Sequence, residues 1–181
     1  MLILASTSPR RRELLTQANI PFTVESVDID ESHRPGESPA NFTQRLAREK
    51  AEPVFAAHPA DTVLGADTVV VCGEEILGKP ADAADAARML RLLSNRSHQV
   101  ITGVALLSPQ GIVTRAETTT VVMREILEKE IETYIATGEP MDKAGAYAIQ
   151  GGAAKFVVQI EGDYTNIVGL PVVLVQRLLQ K

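Results

Sequence analysis

Short apolar runs alternate with amphipathic stretches along the first half of the chain. An apolar run at residues 2–5 predicts a buried strand, and Ser8 and Pro9 follow it as a cap residue and a proline at the first helical position. Apolar residues then recur on one side of the chain, which predicts a helix from Pro9 to about Ala18. A second short strand is expected over residues 22–27.

A polar, acidic loop over residues 28–38 separates this segment from a second helix, which Ser38 and Pro39 open in the same way. Pro53 is expected to kink or end that helix, because proline has no N–H to donate. Four β segments with turn residues between them follow in the chain: residues 62–72, 75–77, 99–107 and 112–123. The short turns predict that they pair as two hairpins.

The second half of the chain also contains helices and one more strand. Asp82 caps an alanine-rich helix that reaches about Leu93, and Gly138 ends another helix. The apolar residues of the latter recur at helical spacing: Leu127, Ile131, Tyr134 and Ile135. A strand over residues 156–160 and a helix opened by Pro171 complete the pattern. Early alternation interrupted by hairpins predicts an α/β fold with a mixed sheet and flanking helices.

Composition narrows the class of protein. The chain has 181 residues, of which 45% are hydrophobic, as expected for one globular domain over residues 1–181. Its net charge of −5 argues against a general nucleic-acid binder, which needs a basic excess. The single cysteine, Cys72, the short apolar run at the N-terminus and the lack of any stretch of roughly 20 apolar residues predict a cytoplasmic protein that does not enter a membrane.

Arginines crowd the start of the first predicted helix. Arg10, Arg11 and Arg12 lie where the helix dipole is positive, which costs about 0.3–1 kcal/mol each unless an anion compensates. Free backbone N–H groups and the hydroxyls of Ser6 and Ser8 lie beside them, so the segment is suited to phosphate. The alternative is an exposed basic turn that pairs with surface carboxylates.

Charged residues at three other places are candidates for chemistry. Asp67 interrupts an apolar strand beside Gly65, which favours a catalytic base or metal ligand, or else a carboxylate that caps a neighbouring turn. Lys79 follows a predicted hairpin and either neutralises a phosphate or is simply solvated. An acidic cluster lies in the loop before the second helix: Asp28, Asp30 and Glu31. Its oxygens suit Mg²⁺, although a solvated loop explains the pattern as well.

Six blocks carry a resemblance to a known family: residues 5–11 (ASTSPRR), 45–51 (RLAREKA), 65–68 (GADT), 78–80 (GKP), 137–151 (TGEPMDKAGAYAIQG) and 168–171 (VGLP). Together they resemble the Maf family of nucleoside triphosphate pyrophosphatases. The blocks follow one another in the order of that family and span nearly the whole chain. The resemblance implies a mixed α/β fold shared with inosine-triphosphate pyrophosphatases, with two lobes around a cleft. It also implies a divalent cation, Mg²⁺ or Mn²⁺, and a homodimer.

The resemblance also implies roles for particular residues. Asp67 is the general base for the attacking water, and Glu31 helps to hold the metal. The triphosphate contacts are Ser6, Arg11, Lys50 and Lys79. The specificity residues are Arg10, Thr68 and Gln150. This trio resembles the subgroup that prefers dTTP and UTP, so hydrolysis of these and of modified pyrimidine nucleotides to monophosphate and pyrophosphate is expected. Two alternatives stay open: a nucleotide-binding regulator of cell division, and a purine-specific house-cleaning pyrophosphatase.

Overall fold

The computed structural model describes residues 1–180. In this range, strands and helices combine into an α/β fold. The strands are β1 (Leu2–Leu4), β2 (Thr23–Val24), β3 (Thr62–Cys72), β4 (Glu75–Leu77), β5 (Ser97–Ser108), β6 (Gly111–Met123) and β7 (Val157–Glu161). The α-helices are α1 (Pro9–Gln17), α2 (Pro39–Ala57), α3 (Ala83–Leu93), α4 (Glu128–Ala136), α5 (Tyr164–Val168) and α6 (Val172–Leu179). Short 3₁₀ helices cover Glu139–Asp142, Ala144–Ala146 and Gly152–Phe156.

The strands form a mixed sheet in the order β2-β1-β3-β5-β6-β7, with β4 paired to β3. Strand β1 is parallel to both β2 and β3, because helices α1 and α2 make the crossovers between them. Strand β4 is antiparallel to β3, and β7 is antiparallel to β6. The two predicted hairpins and the mixed α/β class are therefore confirmed.

The contacts of the chain group into two compact units. The first contains Met1–Thr68, Ile101–Glu117 and the chain from Thr165 onward. The second contains Val69–Val100 and Thr118–Tyr164. Strands β3, β5 and β6 contribute residues to both units.

Small residues allow helix α2 to lie close to the sheet in the first unit. Ala47 and Ala51 of α2 are fully buried, and they face Gly65 on β3. A Cβ atom added at Gly65 would lie 1.9 Å from the carbonyl oxygen of Ala47, so only glycine permits this separation. The close packing brings the polar residues that follow on β3 next to α2.

The second unit has its own core. Its largest fully buried side chains are Leu77, Leu90, Leu93, Met123, Ile131 and Phe156. Tyr134 of α4 packs edge to face on Phe156, with ring centroids 5.8 Å apart. Buried His98 and Tyr147 are also joined, at 2.7 Å between Nε2 and the hydroxyl. Aromatic packing and this polar pair therefore hold the 3₁₀ segments that follow α4.

Pro53 was predicted to kink or end the second helix; the ending is wrong, since α2 continues to Ala57, and the kink stays a prediction. Val54, the next residue, is fully buried, whereas Pro53 itself is exposed. Burial of the Val54 side chain stabilises one more turn of the helix. Because Pro53 lies on the exposed side of α2, water can bind the carbonyl that loses its N–H partner.

Other boundaries differ from the predicted ones by small amounts. Strand β2 covers only Thr23–Val24 of the predicted residues 22–27, because it is an exposed edge strand with a single neighbour. Leu127 is the N-cap of α4 and is 58% exposed, so it lies outside the buried side of this helix, which Ile131 and Tyr134 form. Helix α5 was not predicted. No helix among residues 1–180 is both long and apolar enough to cross a membrane.

Candidate functional site

Asp67 lies on β3 in the first unit and is 8% exposed. Its Oδ1 atom is 2.7 Å from Nζ of Lys50, which α2 contributes. The same Nζ atom is 2.7 Å from Oε1 of Glu31, which lies in the loop before α2. One ammonium group therefore links a buried carboxylate to an exposed one.

The backbone explains why Lys50 reaches Asp67. Side chains two residues apart on a strand point to the same face, so Asp67 faces α2 as Gly65 does. Helix α2 begins at a capped end, where the Ser38 hydroxyl accepts a hydrogen bond from the Asn41 N–H at 3.2 Å. A fixed helix start and a close helix–strand approach thus place the lysine.

Arg11 lies beside this pair and spreads its guanidinium over three acceptors. It donates from Nε to the Gly169 carbonyl at 2.8 Å, from Nη1 to the Ser6 hydroxyl at 3.2 Å and from Nη2 to the Thr68 hydroxyl at 3.1 Å. Burial lowers the pKa of Arg11, and the negative charge of Asp67 opposes that shift. Arg11 is therefore a positioned cation in the neighbourhood of the Asp67 carboxylate.

Residues that the sequence analysis missed support Arg11. The hydroxyls of Thr68 and Thr102 are 2.9 Å apart, and Thr102 donates to the Asn166 carbonyl at 3.2 Å. Thr102 is fully buried within the apolar strand β5. A polar residue in such a strand is the same signal that pointed to Asp67, and it could have identified Thr102. No comparable signal marked the carbonyls of Asn166 and Gly169, because every residue has a carbonyl group.

The three consecutive arginines have different environments. Only Arg11 turns toward Ser6, while Arg10 is half-buried and Arg12 is exposed. Ser8 is the N-cap of α1 as predicted, but its side chain makes no capping hydrogen bond. Instead the Ser8 N–H donates to the Ser6 hydroxyl at 3.2 Å. Ser6 therefore connects the helix start to the Arg11 guanidinium.

Most of the predicted site residues come together in the first unit: Ser6, Arg11, Glu31, Lys50, Asp67 and Thr68. Lys79 and Gln150 belong to the second unit, and both are exposed. Gln150 lies in a turn that follows the buried residues Ala148 and Ile149. Lys79 follows Gly78, whose carbonyl accepts the Gly145 N–H at 3.0 Å.

The two carboxylates on Lys50 suit a divalent cation. In residues 1–180, Asp67 and Glu31 bond to Lys50 through Oδ1 and Oε1, which leaves Oδ2 and Oε2 available. Groups of three or more metal-binding side chains do not occur in the described part of the chain. Mg²⁺ is commonly held by one or two carboxylates together with substrate phosphates, and these two carboxylates fit that pattern.

These groups together can bind a polyanion and activate water. Arg11 and Lys50 provide positive charge, and the Ser6 hydroxyl and the start of α1 provide further polar contacts. Asp67 provides a buried base a few ångströms from Lys50. The arrangement fits hydrolysis of a phosphate ester or anhydride.

Comparisons with known proteins agree with this chemistry. A family model described as Maf-like protein matches residues 1–181. The chain is 54% identical over 180 residues to the dTTP/UTP pyrophosphatase of Koribacter versatilis (strain Ellin345), covering 99% of this chain and 93% of the relative. It is 55% identical over 172 residues to the enzyme of that name from Geobacter sulfurreducens, covering 94% and 90%. The corresponding protein of Bacillus cytotoxicus is 51% identical over 179 residues, covering 99% and 94%.

A solved structure resembles the fold. The Ham1 protein of Staphylococcus aureus superposes with a TM-score of 0.56 over 99% of this chain and 97% of its own, at 15% identity. At this identity the likeness concerns the fold alone.

Proposed function

The chain belongs to the family of Maf-like proteins, and we propose that it hydrolyses dTTP and UTP, and modified pyrimidine nucleotides, to the monophosphate and pyrophosphate. The relatives at 51–55% identity carry the name dTTP/UTP pyrophosphatase. The observation that carries the proposal is the ion pair of buried Asp67 with Lys50, next to the anchored Arg11. It combines a base with cations that suit a triphosphate.

The reaction begins with a water molecule that Asp67 orients and deprotonates. Its oxygen attacks the α phosphorus, and the bond from that phosphorus to the bridging oxygen of the β phosphate breaks. The contacts to the triphosphate are Ser6, Arg11, Lys50 and Lys79. These residues stabilise the charge that develops on the leaving pyrophosphate. A divalent cation, Mg²⁺ or Mn²⁺, held by Glu31 beside Asp67 supplies further charge neutralisation when bound.

Base selection falls to Arg10, Thr68 and Gln150. The Gln150 side chain is exposed. An amide both donates and accepts, so it matches the edge of a pyrimidine. The homodimer stays a prediction from the family resemblance, and the cytoplasmic location stays a prediction from the composition. Sedimentation of the purified protein tests the dimer.

A panel of nucleoside triphosphates tests the function. Purified protein is incubated with each nucleotide and Mg²⁺ or Mn²⁺, and monophosphate, diphosphate, pyrophosphate and orthophosphate are quantified. The proposal expects monophosphate and pyrophosphate, formed fastest from dTTP and UTP. Diphosphate with orthophosphate would exclude cleavage between the α and β phosphates. Preference for purines would favour the house-cleaning alternative, and binding without multiple turnovers would favour the regulator.

A further inference from the structure

The turn that carries Gln150 is exposed at its tip and buried on one flank. Ala148 and Ile149 are 8% and 7% exposed, whereas Gln150 is open to solvent. The Gly151 N–H donates to the Ala148 carbonyl at 3.1 Å, which closes the turn. The direction of the Gln150 side chain therefore depends on what holds the backbone on either side of it.

Two hydrogen bonds to side chains hold the two ends of this turn within the second unit. The Ala148 N–H donates to the Tyr134 hydroxyl at 3.0 Å, and the Gly152 N–H donates to Oε2 of Glu139 at 3.0 Å. Burial, together with the nearby Glu139 carboxylate, raises the pKa of Tyr134, so its hydroxyl stays protonated. Each end of the turn is thus held by one side chain.

The same two side chains also pack against the turn. A Cβ atom added at Gly151 would lie 2.0 Å from Oε1 of Glu139, and one added at Gly152 would lie 3.1 Å from the Tyr134 ring. Tyr134 is 3% exposed and is itself packed on Phe156. The carboxylate and the ring therefore fill the space under the turn, and the two glycines are what allow this contact.

We propose that Glu139 and Tyr134 are positioning residues that orient Gln150 and so set which base the enzyme accepts. They hold the turn from beneath through hydrogen bonds to Ala148 and Gly152. The proposal rests on the function proposed above, in which Gln150 contacts the base. It adds a source of selectivity outside the residues that face the nucleotide.

The test compares Glu139→Ala, Glu139→Gln and Tyr134→Phe with a matched control, Glu130→Ala. Glu130 is a carboxylate of α4 that binds Arg124 at 2.9 Å and the Leu127 N–H at 3.1 Å, away from the turn. The measured quantity is kcat/KM for UTP divided by kcat/KM for GTP. We expect Glu139→Ala and Tyr134→Phe to lower this ratio about tenfold. This is the effect of losing one oriented hydrogen bond from Gln150 to the base, worth about 1.4 kcal/mol. Glu139→Gln keeps an acceptor for the Gly152 N–H, so its ratio should stay close to that of the wild-type protein.

A double-mutant cycle separates positioning from simple destabilisation. In a Gln150→Ala background, Glu139→Ala should lower the ratio no further, because the residue it orients is gone. Equal losses for UTP and GTP in Glu139→Ala, or additive losses in the cycle, would overturn the proposal. So would a loss of selectivity in Glu130→Ala as large as that in Glu139→Ala.

Amide hydrogen exchange gives a reading that does not depend on turnover. The Ala148 and Gly152 amides should exchange faster in Tyr134→Phe and Glu139→Ala respectively, and unchanged exchange would contradict the role of these two hydrogen bonds. If the wild-type protein hydrolyses neither dTTP nor UTP, the proposed function fails. The positioning role is then decided by these amides and by whether Glu139→Ala alters the relative binding of UTP and GTP.

Discussion

Asp67 is the residue on which the chemistry depends most directly. Asp67→Asn keeps the shape of the side chain but removes the base and the charge opposite Lys50. We expect turnover of dTTP to fall about 10²–10⁴-fold, the usual contribution of a general base. Asp61→Asn is the matched control, because Asp61 pairs with the exposed N-terminal ammonium at 2.9 Å. Near wild-type turnover in Asp67→Asn would remove this residue from the role of base.

Two arginines of α2 form ion pairs that differ in solvent exposure. Arg45 binds Glu37 at 2.6 Å and Glu49 at 3.0 Å, with 14% of its side chain exposed, and also donates to the Ser32 carbonyl at 3.0 Å. The hydrogen bond from Arg45 lowers the pKa of Glu37 to about 2. Arg45 thus ties the loop that carries Glu31 to α2.

Arg48 provides the comparison for Arg45, since it pairs with Glu52 at 2.6 Å in a bridge that is about half exposed. Arg45→Met should lower the free energy of unfolding by about 2–3 kcal/mol, as expected for lost bonds to charged groups. Arg48→Met should cost about 0–1 kcal/mol because solvent screens the pair. Urea denaturation measures both, and equal losses would contradict this ranking.

At the scale of elements, the contact between α2 and β3 controls the distance from Lys50 to Asp67. Gly65→Ala would place a methyl group 1.9 Å from the Ala47 carbonyl oxygen, so helix and strand must separate. We expect a loss of about 1–3 kcal/mol in the free energy of unfolding, as for other overpacked contacts, and a fall in kcat.

Gly78→Ala is the stability control for this contact, because an added Cβ there meets nothing within 4 Å. Thermal unfolding compares the two variants. A Gly65→Ala protein as stable as Gly78→Ala would show that α2 and β3 can separate without cost.

At the scale of the whole molecule, His98 links stability to pH. Burial lowers the pKa of His98 from 6.5 to about 4, so the folded protein holds the neutral ring beside the Tyr147 hydroxyl. Below pH 6.5 the unfolded chain binds a proton that the folded protein excludes. The stabilisation is therefore complete above pH 6.5 and is lost as pH falls toward 4.

The expected loss from His98 is about 3 kcal/mol, from the size of this pKa difference. Urea denaturation at pH 8 and pH 4 measures the free energy of unfolding at each pH. Between these values His98→Gln should lose about 3 kcal/mol less stability than the wild-type protein. Equal losses in the two proteins would show that His98 does not carry the effect.

Local patterns predicted the elements well where one segment contains all the information needed. The starts of α1, α2 and α3 were predicted from caps and prolines, and β3 to β6 from β-branched runs and turns. Helix α2 passes through Pro53 because Val54 is buried by other elements, which a local pattern does not contain. Strand β2 is short for a similar reason, since pairing with neighbours sets its length.

The sequence by itself determined the mixed α/β class, the capped helices and, through its six family blocks, the residues worth examining. Only the tertiary structure decided how they act together. Lys50 meets Asp67 across 17 positions, and Arg11 reaches Ser6, Thr68 and Gly169 across 5, 57 and 158 positions. Caps and periodicity depend on neighbours along the chain, whereas such contacts depend on the close approach of α2 to β3 and on the sheet order. The tertiary contacts therefore determine that Arg11, among three adjacent arginines, is the one anchored in the site.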